Sequence, residues 1–162
     1  MTDLFSELYA QHAPAVFRYG AWLLGNRDDA EDVTAEVFAR AFAGADGLRA
    51  ETVRAYLFTI ARHLVLERMR RRRDETGLDE TLIDPQPDPS RLADARAGLK
   101  RTLAMLERLE EVDRTALILF CHEGLSQRQI AAVLGISETA VKLRIHRARL
   151  RLSELMEDCH EH

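Results

Sequence analysis

Residues 126–151 constrain this chain most: Ser-Gln-Arg-Gln-Ile-Ala-Ala-Val-Leu-Gly-Ile-Ser-Glu-Thr-Ala-Val-Lys-Leu-Arg-Ile-His-Arg-Ala-Arg-Leu-Arg. The pattern admits little besides a short helix, a tight turn and a long helix. Ser126 is placed to cap the first helix, and Gln129 stands where a capping box takes Glu or Gln. Ile130, Ala131 and Leu134 form its expected inner face, with Ala131 small where the second helix crosses. Gly135 follows at the turn, where a left-handed backbone suits glycine. Ile136 is placed to plug the corner. Ser137 is placed to cap the second helix, and Glu138 in the first turn complements the helix dipole. Val141, Ile145, Ala148, Leu152 and Leu155 then recur at steps of four and three, which predicts one apolar stripe.

Lys142, Arg144, His146, Arg147, Arg149 and Arg151 lie largely off that stripe, with no acid among them. A solvated basic helix in an ordinary bundle is the bland explanation. The small residue, the turn glycine and the two serine caps agree instead on a helix-turn-helix, whose second helix enters a DNA major groove. Its cations then form a footprint for phosphates.

The formal net charge of −4 does not oppose this, because the charges are segregated. Glu67 to Arg73 and Lys142 to Arg151 are cationic. Acid gathers at Asp28, Asp29, Glu31, Asp32 and Glu36, and again from Asp74 to Asp88. Local field, not net charge, governs phosphate binding. With 46% hydrophobic residues the chain has ample material for a core. No apolar run reaches membrane-spanning length, and the start, MTDLFSELYAQHAP, lacks the basic and apolar segments of a signal peptide. A cytoplasmic location is the expectation. Two widely spaced cysteines are no disulfide framework. Cys121 is expected to pack as a small apolar residue. The Cys159-His160-Glu161-His162 end holds metal-ligating residue types without a common zinc spacing. No metal and no cofactor are expected.

The chain reads as all-α, two small helical domains joined by a flexible acidic linker. Residues 1–73 form the first block. Phe5, Leu8, Tyr9, Val16, Phe17, Leu23 and Leu24 belong to one or two helices, interrupted near Pro14 and ended by Gly25-Asn26. The next helix starts at Asp28 or Asp29 and turns Val33, Val37, Phe38, Ala41 and Phe42 inward. A glycine-bearing loop, Ala43 to Glu51, precedes a helix from Thr52 or Val53 with an inner stripe of Val53, Tyr56, Leu57, Ile60 and Leu64, ending in Arg70–Arg73. Residues 74–91 hold three of the four prolines among acids and form the linker. Residues 92–158 form the second block: a helix through Leu99, Leu103, Leu106 and Leu109, another over Leu117–His122, the Glu123-Gly124-Leu125 turn, and the helix-turn-helix.

These residues resemble the sigma factors of bacterial RNA polymerase, in the extracytoplasmic-function group of the sigma-70 family. Asp28-Asp-Ala-Glu-Asp-Val-Thr-Ala-Glu-Val-Phe38 and Tyr56-Leu-Phe-Thr-Ile-Ala-Arg-His-Leu-Val-Leu-Glu-Arg68 resemble motifs of region 2. Leu125 to Ser137 and Val141 to Arg149 resemble motifs of region 4. The resemblance implies a subunit, not an enzyme, that binds core RNA polymerase and promoter DNA under an anti-sigma factor, with neither membrane insertion nor a small-molecule substrate. It assigns Asp29, Glu31, Asp32, Glu36 and Phe38 to core polymerase. It assigns Asp46, Gly47, Leu48, Arg62, His63, Glu67, Arg70 and Arg71 to the −10 element. It assigns Arg128, Ser137, Glu138, Thr139, Lys142, Arg144, His146 and Arg147 to the −35 element. The chain departs from the family pattern at Ala35 (usually Gln), Tyr56 (Trp), His63 (Asn), Glu67 (Asp), Gln129 (Glu) and Glu110 (Pro).

Three other classes compete. A stand-alone DNA-binding regulator normally dimerises, and no heptad seam is present. An enzyme needs a nucleophile–base pair or a buried acid dyad, and the acids of 28–36 lie on an expected exposed face. A metal sensor on the same scaffold would use the terminal Cys and His residues.

Overall fold

The computed structural model describes residues 2–44, 52–76 and 91–161, and these form seven helices. Asp46, Gly47 and Leu48, and most of the expected linker, lie outside the described residues. The first block holds α1 (Thr2–Leu24), α2 (Arg27–Ala43) and α3 (Val53–Thr76). The second holds α4 (Arg91–Glu107), α5 (Glu111–Cys121), α6 (Gln127–Leu134) and α7 (Glu138–Glu161).

Three expectations about α1 and α2 change. The helix does not break at Pro14, which sits inside α1. Proline lacks the N–H that would bond the carbonyl of Ala10, but its ring is exposed and the helix runs on. Asn26, not an aspartate, begins α2: its side chain accepts the Asp29 N–H at 3.2 Å, with Asp28 and Asp29 in the first turn. Gly20 lets α1 and α2 cross closely, since a Cβ there would lie 3.4 Å from the Ala30 backbone. Val16, Val33 and Val37, on these two helices, are fully buried. Phe42, expected inside, is 49% exposed and instead packs edge-on against Phe5 at 3.9 Å between centroids. The reason is position: it sits in the last turn of α2, where it meets only the first turns of α1.

The apolar stripe on α3 is wider than periodicity suggests. Val53, Leu57 and Leu64 are buried as expected, but so are Phe58, Ala61 and Val65, while Tyr56 and Ile60 are only partly covered. A helix packed on one side shows one stripe. This one is packed on two, against α1 and α2 and against α6 of the second block. The buried side chains accordingly form one cluster running from Ala13 to Ala148 across both blocks.

In the second block α5 and α6 lie against α7. Cys121 does not pack as an apolar residue. It is exposed at the end of α5, with Arg149 Nη2 3.6 Å from its Sγ. The position is the last of α5, beyond the buried run Arg114 to Leu119.

Candidate nucleic-acid interface

The helix-turn-helix is built as its residues require. Ser126 Oγ accepts the Gln129 N–H at 3.1 Å, and Gln129 Oε1 accepts the Ser126 N–H at 2.9 Å, so the capping box is reciprocal. Gln129 therefore does the work of the family's usual Glu. Gly135 takes φ 68°, ψ 34°, and its N–H and that of Ile136 both reach the Ala131 carbonyl, at 2.9 and 3.2 Å. Ser137 Oγ accepts the Ala140 N–H at 3.1 Å. Ile130, Val133 and Leu134 form the buried face of α6, whereas Ala131 is only partly covered. Val141, Ile145, Ala148 and Leu155 are buried along α7, with Leu152 partly so.

The cations of α7 divide into two sets. Lys142, His146 and Arg147 are exposed, alongside Glu138 and Thr139, and carry no ion pair among the described residues; Arg128 is exposed on α6. They share the outward side of the helix and satisfy the steric condition for reaching a groove. Arg144 points elsewhere. Its Nη1 lies 3.1 Å from Glu110 Oε2 and 3.2 Å from Asp113 Oδ1, which ties α7 to α5. These bonds, from Asp113 first, hold its guanidinium above the usual arginine range. Glu110, at the family's proline position, is thus an anchor. Arg149 stacks 5.5 Å over the Phe120 ring, and Arg151 pairs with Glu154 at 3.2 Å.

The basic end of α3 is likewise partitioned. Arg68 reaches Asp29 at 3.1 Å and Asp32 at 3.8 Å; Arg72 bonds Asp29 and donates to the Leu24 carbonyl at 2.7 Å. Asp29 therefore stitches α2 to α3 from a part-buried position. Glu31 pairs with Arg27 at 3.4 Å and Glu36 with Arg40 at 2.8 Å, both on the surface. Asp32 is largely exposed. Phe38 is 4% exposed and packs against Tyr9, so it supports the core rather than presenting a surface. His63, Arg70 and Arg71 are exposed, and Glu67 pairs with Arg71 at 3.0 Å.

Arg62 is the exception on α3, because the second block covers it. Its Nε and Nη2 donate to Glu111 Oε1 and Oε2 at 2.8 and 2.9 Å, a bidentate pair with side chains 17% and 18% exposed. Thr115 Oγ1 donates its single proton to Glu111 Oε1 at 2.9 Å, so the buried Tyr19 hydroxyl, 3.2 Å away, must donate to Thr115. Burial alone would raise the Glu111 carboxyl, but the hydrogen bonds from Arg62 and Thr115 and the nearby charges outweigh it and hold it below the usual range. Burial pushes the Tyr19 hydroxyl up. Arg18 makes a second bidentate pair, with Glu123 at 3.0 and 2.9 Å, and the Glu123 carbonyl accepts from Arg54. Trp22 meets His122 edge-on, with centroids 5.8 Å apart. Tyr19, Arg18, Glu111, Thr115 and Glu123 carry no signal in local sequence, because their partners lie 49 to 105 residues away.

No group of three or more metal-ligating side chains occurs among the described residues, and the side chains of Cys159 to His162 lie outside them. Among the described residues no helix is long and apolar enough to cross a membrane.

Comparison with known proteins matches residues 8–75 to sigma-70 region 2 and residues 99–152 to sigma-70 region 4. The chain is 35% identical over 160 residues to the ECF RNA polymerase sigma factor SigL of Mycobacterium tuberculosis, covering 94% of this chain and 90% of SigL. It is 35% identical over 158 residues to SigE of Mycolicibacterium smegmatis, covering 94% of this chain but only 61% of SigE. Its fold superposes with a TM-score of 0.77 and 29% identity on the sigma factor RpoE of Bartonella quintana, solved in complex with the anti-sigma factor NepR, over 97% of this chain and 98% of that one. With both regions present in order on an all-helical scaffold, the chain belongs to the ECF group of sigma-70 family RNA polymerase sigma factors.

Proposed function

We propose that this chain is a promoter-specificity subunit, without catalytic activity of its own, that binds core RNA polymerase in the cytoplasm and directs initiation at its own promoters. The observation that carries this reading is the exposed set Lys142, His146 and Arg147 on a correctly capped helix-turn-helix, in a chain that also carries region 2. Residues 1–73 act as the unit for core polymerase and the −10 element, 74–91 as the tether, and 92–158 as the unit for the −35 element. Glu31, Asp32 and Glu36 offer the carboxylates that remain on the outer face of α2, while Asp29 acts by fixing that helix. Asp46, Gly47 and Leu48, with His63, Glu67, Arg70 and Arg71, serve the −10 side. Linking two weak sites raises apparent affinity when both engage together. Control by an anti-sigma factor is supported by the similarity to RpoE, which was solved in such a complex.

Run-off transcription with purified core polymerase tests the reading. The chain is expected to copurify with core and to be required for product. Lys142→Ala should weaken binding to all −35 sequences alike, as loss of a phosphate contact does. Failure to associate with core under any condition overturns the proposal.

A further inference from the structure

We propose that the free chain closes on itself, and that the contact of Arg62 and Arg54 with the second block keeps the −10 face of α3 from nucleic acid until the blocks part. The inference rests on the promoter-binding reading above. It goes beyond that reading by placing an inhibitory contact inside the chain, with no second protein needed.

Three features support closure. The first is polar: the run Tyr19–Thr115–Glu111–Arg62 crosses from block to block through four hydrogen bonds. The second is the turn at Glu123, whose carboxylate, 2% exposed, is gripped by Arg18 while its carbonyl takes Arg54. The third is apolar: α6 lies along α3, and the buried cluster is continuous across the junction. A wet, incidental contact would not bury a tyrosine completely.

The closure is asymmetric. Lys142, His146 and Arg147 remain exposed in it, whereas the Nε–Nη2 edge of Arg62 is occupied by a carboxylate. A phosphate or base reaching Arg62 must displace Glu111 from a side chain that is only 17% exposed. The closed chain can therefore present its −35 face but not its full −10 face. Without simultaneous engagement the gain from linking two sites is lost. An apparent affinity falls in proportion to the fraction of chains in the competent form, so a chain open about one-tenth of the time requires about tenfold more protein.

The test uses the full chain and variants of two junction carboxylates that are not among the residues assigned to DNA. Glu111→Gln combined with Glu123→Gln removes both carboxylates while keeping their size. Small-angle scattering of the free protein should show a compact wild type and an expanded variant. The concentration giving half-maximal run-off product with core polymerase should fall about tenfold for the variant, with binding to an isolated −35 duplex unchanged. Circular dichroism checks that the helices persist. Should the double variant lose them, Thr115→Val, which removes only the central hydroxyl, carries the same readouts with an expected change of about fivefold. A wild type already extended in solution overturns the inference, as does a variant that opens without gain in run-off product. Wild type and variants all inactive with core would instead condemn the promoter-binding reading, and with it any inhibition of that activity. An active wild type matched by its variants condemns this inference alone.

Discussion

Arg62 and Arg144 look alike in the sequence, each a cation in a basic helix assigned to DNA by resemblance. The structure separates them from Lys142 and Arg147 by what surrounds them: Arg62 faces Glu111, and Arg144 faces Glu110 and Asp113. Arg144→Ala is therefore expected to loosen the packing of α7 on α5 and to lower thermal stability, whereas Lys142→Ala should leave the melting temperature within error. Equal stability losses in the two variants would contradict this division. Tyr19→Phe removes a buried hydroxyl whose acceptor, Thr115, keeps its own bond to Glu111; the expected cost is ~1 kcal/mol in urea unfolding. The residue types were legible from sequence, and so was the cationic face. Their partners were not, because a pair separated by 49 residues leaves no periodic trace.

At the scale of elements, structure was legible where its determinants are local. The capping box at Ser126, the left-handed Gly135 and the Ser137 cap sit where the order of residues placed them. Ser126→Ala should cost about 1 kcal/mol by loss of the cap. Gly135→Ala should cost about 1–2 kcal/mol from backbone conformation alone, since a Cβ there meets nothing within 4 Å. Both are checked by equilibrium denaturation. Legibility ends where a second surface intervenes. The stripe on α3 predicted one packed side and missed Phe58, Ala61 and Val65, which are buried off that stripe, Phe58 edge-on against Tyr19. Pro14 is a second such case, an exposed proline carried inside α1 by the packing of its neighbours Ala13 and Val16. Pro14→Ala, restoring an N–H to the Ala10 carbonyl, should raise the melting temperature.

The molecule as a whole depends on pH through the junction. Glu111 has its carboxyl lowered from the ordinary value of 4.5 in the closed form. A group lowered on closing contributes fully above its unperturbed value, and that contribution is lost as pH falls through the lowered one. Scattering should thus report a compact chain at neutral pH and progressive opening below about 4.5, and Glu111→Gln should remove Glu111's share of that response. The all-helical class and its two helical units were legible from periodicity. Their mutual seating was not, because it resides in a few long-range pairs. Glu123 bears on any attempt to recombine such chains. One residue, immediately upstream of the helix-turn-helix, holds Arg18 with its carboxylate and Arg54 with its carbonyl. A chimera that imports a foreign reading head from Leu125 onward keeps both polar ties of Glu123 but exchanges the α6 surface that packs on α3. One spliced before Glu123 would exchange promoter preference and resting posture together.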